Sequence, residues 1–288
     1  MMKNILLFIL MVCWIPHALP QRNSKKPEIG IAQDFQNDSL LYASGYRNLV
    51  ESIAKCFSPK NVTDQQFQNN LQAFGKLNLT IYAVNIFIPG DLKLVGPEVN
   101  EEAILSHARG VFQRCNIAGV KMVIWGSGGA RRVPDGFDST KAKEQFISMA
   151  RKVSILAKQY EITVALENLN RTETNFINTV EQAYEIVQEV NHSNFRLCVD
   201  IYHMLKEGEP ASVIEKTKRY LIHCDIAEKE NRSPPGVHGD DFKEYLKVLR
   251  KIGYSGKIVL ECRWENLAVQ ALSAREALQK QIDEVYRE

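Results

Sequence analysis

Short runs of β-branched and apolar residues alternate along this chain with amphipathic stretches of roughly 12 to 20 residues, and this alternation constrains the fold more than any other feature. Parallel strands need long crossovers, and a crossover helix must bury its apolar stripe on the sheet it spans. Eight runs read as strands, at 29–32, 53–57, 79–86, 120–125, 163–167, 195–200, 220–225 and 257–261. Helical periodicity covers 101–115, 139–159 with Ser139 as cap, 180–190, 211–218, 240–252 and 268–285. Gly253-Tyr254-Ser255-Gly256 is a short helix-to-strand turn, and no linker divides the chain. At 45% hydrophobic and 24% charged, the 288 residues suit one large core. Eight strands in about 260 residues predict an α/β fold, a single-domain (β/α)8 TIM barrel over 21–288, with its active site where strands end and βα loops begin.

Residues 1–20 stand apart. Lys3 precedes an apolar run from Ile5 to Ile15, followed by a polar break into Gln21-Arg22-Asn23. A run of about 11 apolar residues is short for a bilayer span, so the expectation is a cleaved secretory signal, no stable membrane span and an exported protein. Beyond Cys13 in this segment, the five cysteines are widely spaced with no CxxC, which indicates neither a disulfide framework nor a structural zinc. Six Asn-x-Ser/Thr sequons occur, at Asn37, Asn61, Asn78, Asn170, Asn191 and Asn231. Two fall in segments that carry the candidate site, where a glycan would block the cleft, so a bacterial periplasm is the expected location. A net charge of +2 with no basic run leaves no electrostatic footprint for nucleic acid.

The last four strands finish in acids: Val164-Ala165-Leu166-Glu167, Leu197-Cys198-Val199-Asp200, Ile222-His223-Cys224-Asp225 and Val259-Leu260-Glu261. A carboxylate directly after an apolar strand lies at the rim of the core, where burial is costly unless a cation compensates. One such acid reads as a cap or a salt bridge; four from consecutive strands converge. Glu167, Asp200, Asp225 and Glu261 are therefore the candidate ligands of one divalent metal, Mn2+ or Mg2+.

These residues also carry a resemblance. Glu167-Asn168-Leu169-Asn170-Arg171-Thr172-Glu173, Asp200-Ile201-Tyr202-His203, the segment from His223 to Gly236 with Asn231-Arg232 and Pro234-Pro235-Gly236, and Glu261 together resemble the xylose isomerase-like sugar phosphate isomerase/epimerase superfamily, ketose 3-epimerases included. The likeness runs from about residue 28 to the end. It implies that Glu167, Asp200 and Glu261 bind metal, and that Glu167 and Glu261 are also the catalytic acid/base pair on opposite faces of a sugar. It further implies that His203 and Glu173 touch substrate hydroxyls, that Arg232 holds the carbonyl end, and that the protein forms a homo-oligomer, since members are often dimers or tetramers. The chain departs at one ligand: the superfamily usually has His where this sequence has Asp225. Residues 223 and 225 share a strand face, so either reaches the metal; the alignment favours Asp225, with His223 counted among the substrate contacts.

After the fourth strand, Gly126-Ser127-Gly128-Gly129-Ala130-Arg131-Arg132 reads as a substrate loop in which Arg131 or Arg132 binds an anionic or hydroxylated group. Trp125 and Trp264 border the expected mouth, as sugar-stacking rings or as packing. His238 reads as a surface residue and Asp34 as a turn residue.

The expected function is a metal-dependent sugar isomerase or epimerase, moving a carbon-bound proton between carboxylates on a free or oxidised sugar. The same proton abstraction ending in elimination would make a lyase that releases the aglycone from 3-keto-glycosides. A barrel that only binds sugar is a third reading, motivated by Asp225. A nuclease would need a DNA-binding face that the sequence does not show.

Overall fold

The computed structural model describes residues 25–287; the expected signal segment at 1–20 lies outside the described residues. Eight strands, β1 (Glu28–Ala32), β2 (Asn48–Ser52), β3 (Thr80–Asn85), β4 (Met122–Trp125), β5 (Thr163–Glu167), β6 (Phe195–Asp200), β7 (Leu221–Ile226) and β8 (Lys257–Leu260), form one closed barrel in chain order. Every pairing is parallel, and β8 closes onto β1 through Glu28↔Lys257 to Ile31↔Leu260. Helices Glu101–Ile117, Ser139–Gln159, Val180–Val190, Lys243–Lys251 and Leu267–Arg287 fall on the expected stretches. Among the described residues, no helix is long and apolar enough to cross a membrane.

The second strand corrects the sequence reading. It lies at Asn48–Ser52, and the expected strand at 53–57 is instead largely the helix Ile53–Cys56. Buried Ile53, Cys56 and Phe57 stand at i, i+3 and i+4, which is a helical spacing. Glu51 hid the true strand: an acid inside a short run reads as polar, yet here it is 1% exposed because its two oxygens accept the Phe35 and Ser52 N–H groups, both at 2.7 Å. The stretch expected as a helix at 211–218 is a 3-10 helix, Ala211–Thr217, and an α-helix precedes it at Ile201–Glu207. That helix starts on Asp200 itself, whose side chain accepts from the His203 N–H, and it ends at Gly208 in the left-handed region.

Two apolar regions flank the strands. The larger one lies between strands and helices and includes Trp125, which is fully buried and packs edge-on against Phe87 and Phe195. Trp125 is therefore packing and not a stacking platform for sugar. The smaller region contains Val50, Ala83, Ile124, Ala165, Cys198 and Val259. Five of these stand two residues before Ser52, Asn85, Glu167, Asp200 and Glu261, hence on the same strand face. These mostly small side chains floor the barrel, and the polar residues at the strand ends stand above them.

Candidate active site

Four carboxylates gather at the C-terminal ends of β5 to β8. Glu167, Asp200 and Asp225 are 6%, 0% and 2% exposed, while the Glu261 side chain, just past β8, is 24% exposed. The site thus opens over Glu261. Arg232, from the loop after β7, threads between the acids. Its Nη2 donates to Asp200 Oδ2 at 3.1 Å and to Glu261 Oε2, its Nη1 reaches Glu173 Oε1 at 3.3 Å, and its Nε donates to the Glu261 carbonyl at 2.9 Å. The guanidinium also lies 4.7 Å over the Tyr202 ring. Both Asn231 and Arg232 have positive φ, 54° and 55°, a strained pair at the position that aims this side chain.

One guanidinium does not neutralise four carboxylates, and three of them have raised pKa values. Burial, followed by the charges of Glu261, Asp200 and Asp225, holds Glu167 well above the usual carboxylate range. Burial also pushes Asp200 and Glu261 up to about 7, with neighbouring acids adding to the rise and Arg232 opposing it. Burial works against the charge of Arg232, but Glu261, Asp200, Glu167 and Glu173 outweigh it and raise its pKa. This donor set fits a hard divalent cation. Glu167, Asp225 and Glu261 each offer an oxygen, these atoms lie within 4.8 Å of one another, and the excess negative charge is what a bound cation would compensate.

His203 sits at the edge of this cluster. Its Nδ1 accepts the Asn170 backbone N–H at 3.0 Å, so the ring proton is on Nε2. Burial lowers its pKa to about 3, which keeps the imidazole neutral at ordinary pH. Nε2 is buried and has no hydrogen-bond partner, with Asp200 Oδ2 at 3.3 Å and Glu167 Oε1 at 3.7 Å. A neutral N–H facing into a polar cleft is a donor waiting for an oxygen.

The structure brings Glu167, Glu173, Asp200, His203, Asp225, Arg232 and Glu261 together. It places three others away from the cleft. Arg131 is fully buried behind Glu167, with Nη1 donating to the Glu167 carbonyl at 2.8 Å and Nη2 to the Ile177 carbonyl at 3.2 Å, so it braces the strand end and does not face a substrate. Arg132 lies outside, donating to the Glu173 carbonyl at 3.0 Å. His223 is fully buried beneath Asp225, so it does not face the cleft as a substrate contact. His238 is an exposed loop residue whose ring meets Ser233 Oγ at 3.2 Å, and Asp34 caps a turn by accepting from the Gln36 N–H at 2.9 Å.

Three residues support the carboxylates in ways the sequence reading did not assign. Asn85 ends β3 and donates to Glu261 Oε1 at 2.8 Å across the barrel mouth. Asn168 bridges two strand ends, accepting from the Asp200 N–H at 2.9 Å and donating to the Asp200 carbonyl at 3.2 Å. Gly126 supports Glu167 by lacking a side chain, because a Cβ there would stand 2.4 Å from Glu167 Oε2. Only the first left a signal: Asn85 is a polar residue closing an apolar strand, as the four acids do.

Comparison with known proteins agrees with this fold. The chain is 27% identical to the inosose isomerase of Bacillus subtilis (strain 168) over 179 residues, 57% of this chain and 62% of that protein. It is 37% identical to the ketose 3-epimerase of Arthrobacter globiformis over 111 residues, 38% of each chain. Both matches span less than two thirds of the relatives' own length. The solved structure of L-ribulose 3-epimerase superposes with a TM-score of 0.75 at 18% identity, covering 91% of this chain and 96% of that one. The 3-keto-D-glucoside 4-epimerase of E. coli superposes at 0.70 and 20% identity, covering 89% and 99%. At such identities these superpositions establish the fold alone. The family itself follows from the match of residues 45–286 to its pattern: the chain belongs to the xylose isomerase-like TIM barrel family.

Proposed function

We propose that this chain is a divalent-metal-dependent isomerase or epimerase of non-phosphorylated sugars, with Glu167 and Glu261 as its proton-transfer pair. The observation that carries the reading is the set of carboxylates at four consecutive strand ends, with oxygens of Glu167, Asp225 and Glu261 within 4.8 Å of one another and Asp200 grouped likewise with Glu167 and His203, beside a buried N–H of His203 that has no partner. The relatives named inosose isomerase and ketose 3-epimerase support it.

Glu167, Asp200, Asp225 and Glu261 would hold the metal, Mn2+ or Mg2+ by the hardness of an all-oxygen set. When bound, such a cation supplies the positive charge that polarises a carbonyl and its neighbouring hydroxyl and so acidifies the carbon-bound proton. The remaining chemistry belongs to side chains. Glu261, pushed up to about 7, and Glu167, held above the usual carboxylate range by burial, are the two carboxyl groups placed to take and return a proton. His203 Nε2–H donates to a substrate oxygen, and Arg232 and Glu173 frame the same end of the cleft.

The other end supports the choice of sugar. A cavity of about 220 Å3 adjoins Glu261 and is lined by Gln33, Asp34, Glu51, Ser52, Lys55 and Asn85, with Ile86 as an apolar wall. Its one ammonium, Lys55, is already 3.2 Å from Asp34. A phosphate needs unmatched cations or a row of free N–H groups, whereas this acidic, amide- and hydroxyl-bearing wall suits neutral hydroxylated carbons. The proposal includes export through the 1–20 segment, a location consistent with free sugars.

Proton NMR in D2O with Mn2+ or Mg2+ tests the reading, using free ketoses and 3-keto-glycosides on wild type, Glu167→Gln and Glu261→Gln. Deuterium entering one carbon, and lost in both variants, is the expected result. An unsaturated sugar with free aglycone would replace the epimerase reading with a lyase, and absence of exchange with every substrate would leave a sugar-binding barrel.

A further inference from the structure

Directly below the carboxylates, a line of hydrogen-bonded groups crosses the barrel from partly buried Tyr82 to buried His223, Asp225 and Cys198. The Tyr82 hydroxyl lies 2.7 Å from His223 Nδ1, and His223 Nε2 lies 2.8 Å from Asp225 Oδ1. The second Asp225 oxygen, Oδ2, accepts from the Cys198 thiol at 3.2 Å. The directions follow from donor chemistry: a carboxylate oxygen accepts, so the ring proton sits on Nε2, and Nδ1 is left to accept the phenolic O–H. Asp225 thereby fixes the tautomer of His223, Tyr82 holds the ring by donating to Nδ1, and His223 with Cys198 occupies an edge of each Asp225 oxygen.

Two strand residues on one face compete for the role of cation ligand here, and geometry separates them. Among the described residues, Asp225 offers an oxygen within 4.8 Å of ligand atoms from Glu167 and Glu261, whereas His223 shares such a group only with Cys198 and Asp225. Both His223 nitrogens are also engaged, one by Tyr82 and one by Asp225. We propose that His223 is not a metal ligand but a positioning residue, which, set by Tyr82 from below, orients the Asp225 carboxylate toward the cation. The inference rests on the metal-site reading above. Groups that hydrogen-bond a ligand from behind fix its orientation and basicity, and their loss typically lowers metal affinity about 10- to 100-fold. Tyr82 acts one bond further away and should matter less.

Calorimetric titration with Mn2+ alone tests this on the full chain, with wild type, His223→Asn, Tyr82→Phe, Asp225→Asn and the double variant His223→Asn/Asp225→Asn. The expected result is a fall in Mn2+ affinity of about 10- to 100-fold for His223→Asn and a smaller fall for Tyr82→Phe, at little cost in melting temperature. In the Asp225→Asn background, His223→Asn should have no further effect, because the carboxylate it positions is gone. A purely structural role would lower affinity equally in both backgrounds and overturn the proposal. So would unchanged affinity in His223→Asn, or loss of binding in His223→Asn while Asp225→Asn still binds, which would make His223 the ligand. Wild type that binds no Mn2+ would sink the metal-site reading itself, whereas tight wild-type binding indifferent to His223 sinks only this inference. Tyr82→Phe, which removes one hydroxyl, keeps the test open if His223→Asn does not fold.

Discussion

Replacing Gly126 with alanine would displace Glu167 with little effect on the fold. The backbone at Gly126 is outside the left-handed region, so an L residue is admissible there. The added Cβ would stand 2.4 Å from Glu167 Oε2 and 3.3 Å from its Cδ, while Leu169 Cδ2 at 3.4 Å is near ordinary contact. The carboxylate must therefore retreat by about 1 Å, and a misplacement of that size costs on the order of 100-fold in rate, or about 2.7 kcal/mol of barrier. Stability should change far less. Gly to Ala at a compatible position stabilises by about 0.4–1 kcal/mol through the unfolded chain, which offsets part of the local strain. The test pairs deuterium exchange into substrate and Mn2+ titration with a thermal melt of Gly126→Ala. A variant with wild-type exchange and wild-type Mn2+ affinity would refute the placement of Glu167 against this glycine; one that melts many degrees lower would show that the clash is relieved through the backbone.

Arg131→Met should lower stability by about 1–3 kcal/mol in urea denaturation, because it removes the buried guanidinium's hydrogen bonds to the carbonyls of Glu167 and Ile177, the second of which keeps only the Leu169 N–H, and a variant as stable as wild type would contradict a bracing role. Trp125→Phe should cost roughly 1–3 kcal/mol in the outer core and leave sugar affinity unchanged, so a selective loss of sugar binding would return Trp125 to the cleft. Burial raises Glu51 from 4.5 to about 7 despite the N–H groups of Ser52 and Phe35. A carboxyl whose folded pKa is raised contributes stability fully below its unfolded value and loses it as pH rises through about 7, so wild type should lose up to about 3 kcal/mol more than Glu51→Gln between pH 4.5 and 8. Parallel stability profiles for the two proteins would refute that assignment.

Much of this architecture is legible in the chain because it is written locally. A short, largely apolar run of about three residues closed by an acid is visible without any partner, and four such runs in succession announce both the parallel strands and the rim of the site. The strand at Asn48–Ser52 was hidden for the converse reason: Glu51 looks polar until the Phe35 and Ser52 N–H groups are known to hold it. What tertiary structure alone decided are relations across the barrel. Closure and register bring Asn85 of β3 to Glu261 after β8, and Tyr82 to His223. They put Asp225 with the other carboxylates and leave His223 one step below. The turn after β4 sends Arg131 inward behind Glu167 instead of outward to a ligand. Spacing along a strand determines which face a residue shares; which residue waits on the opposite wall depends on how eight strands close, and no local pattern contains that distance.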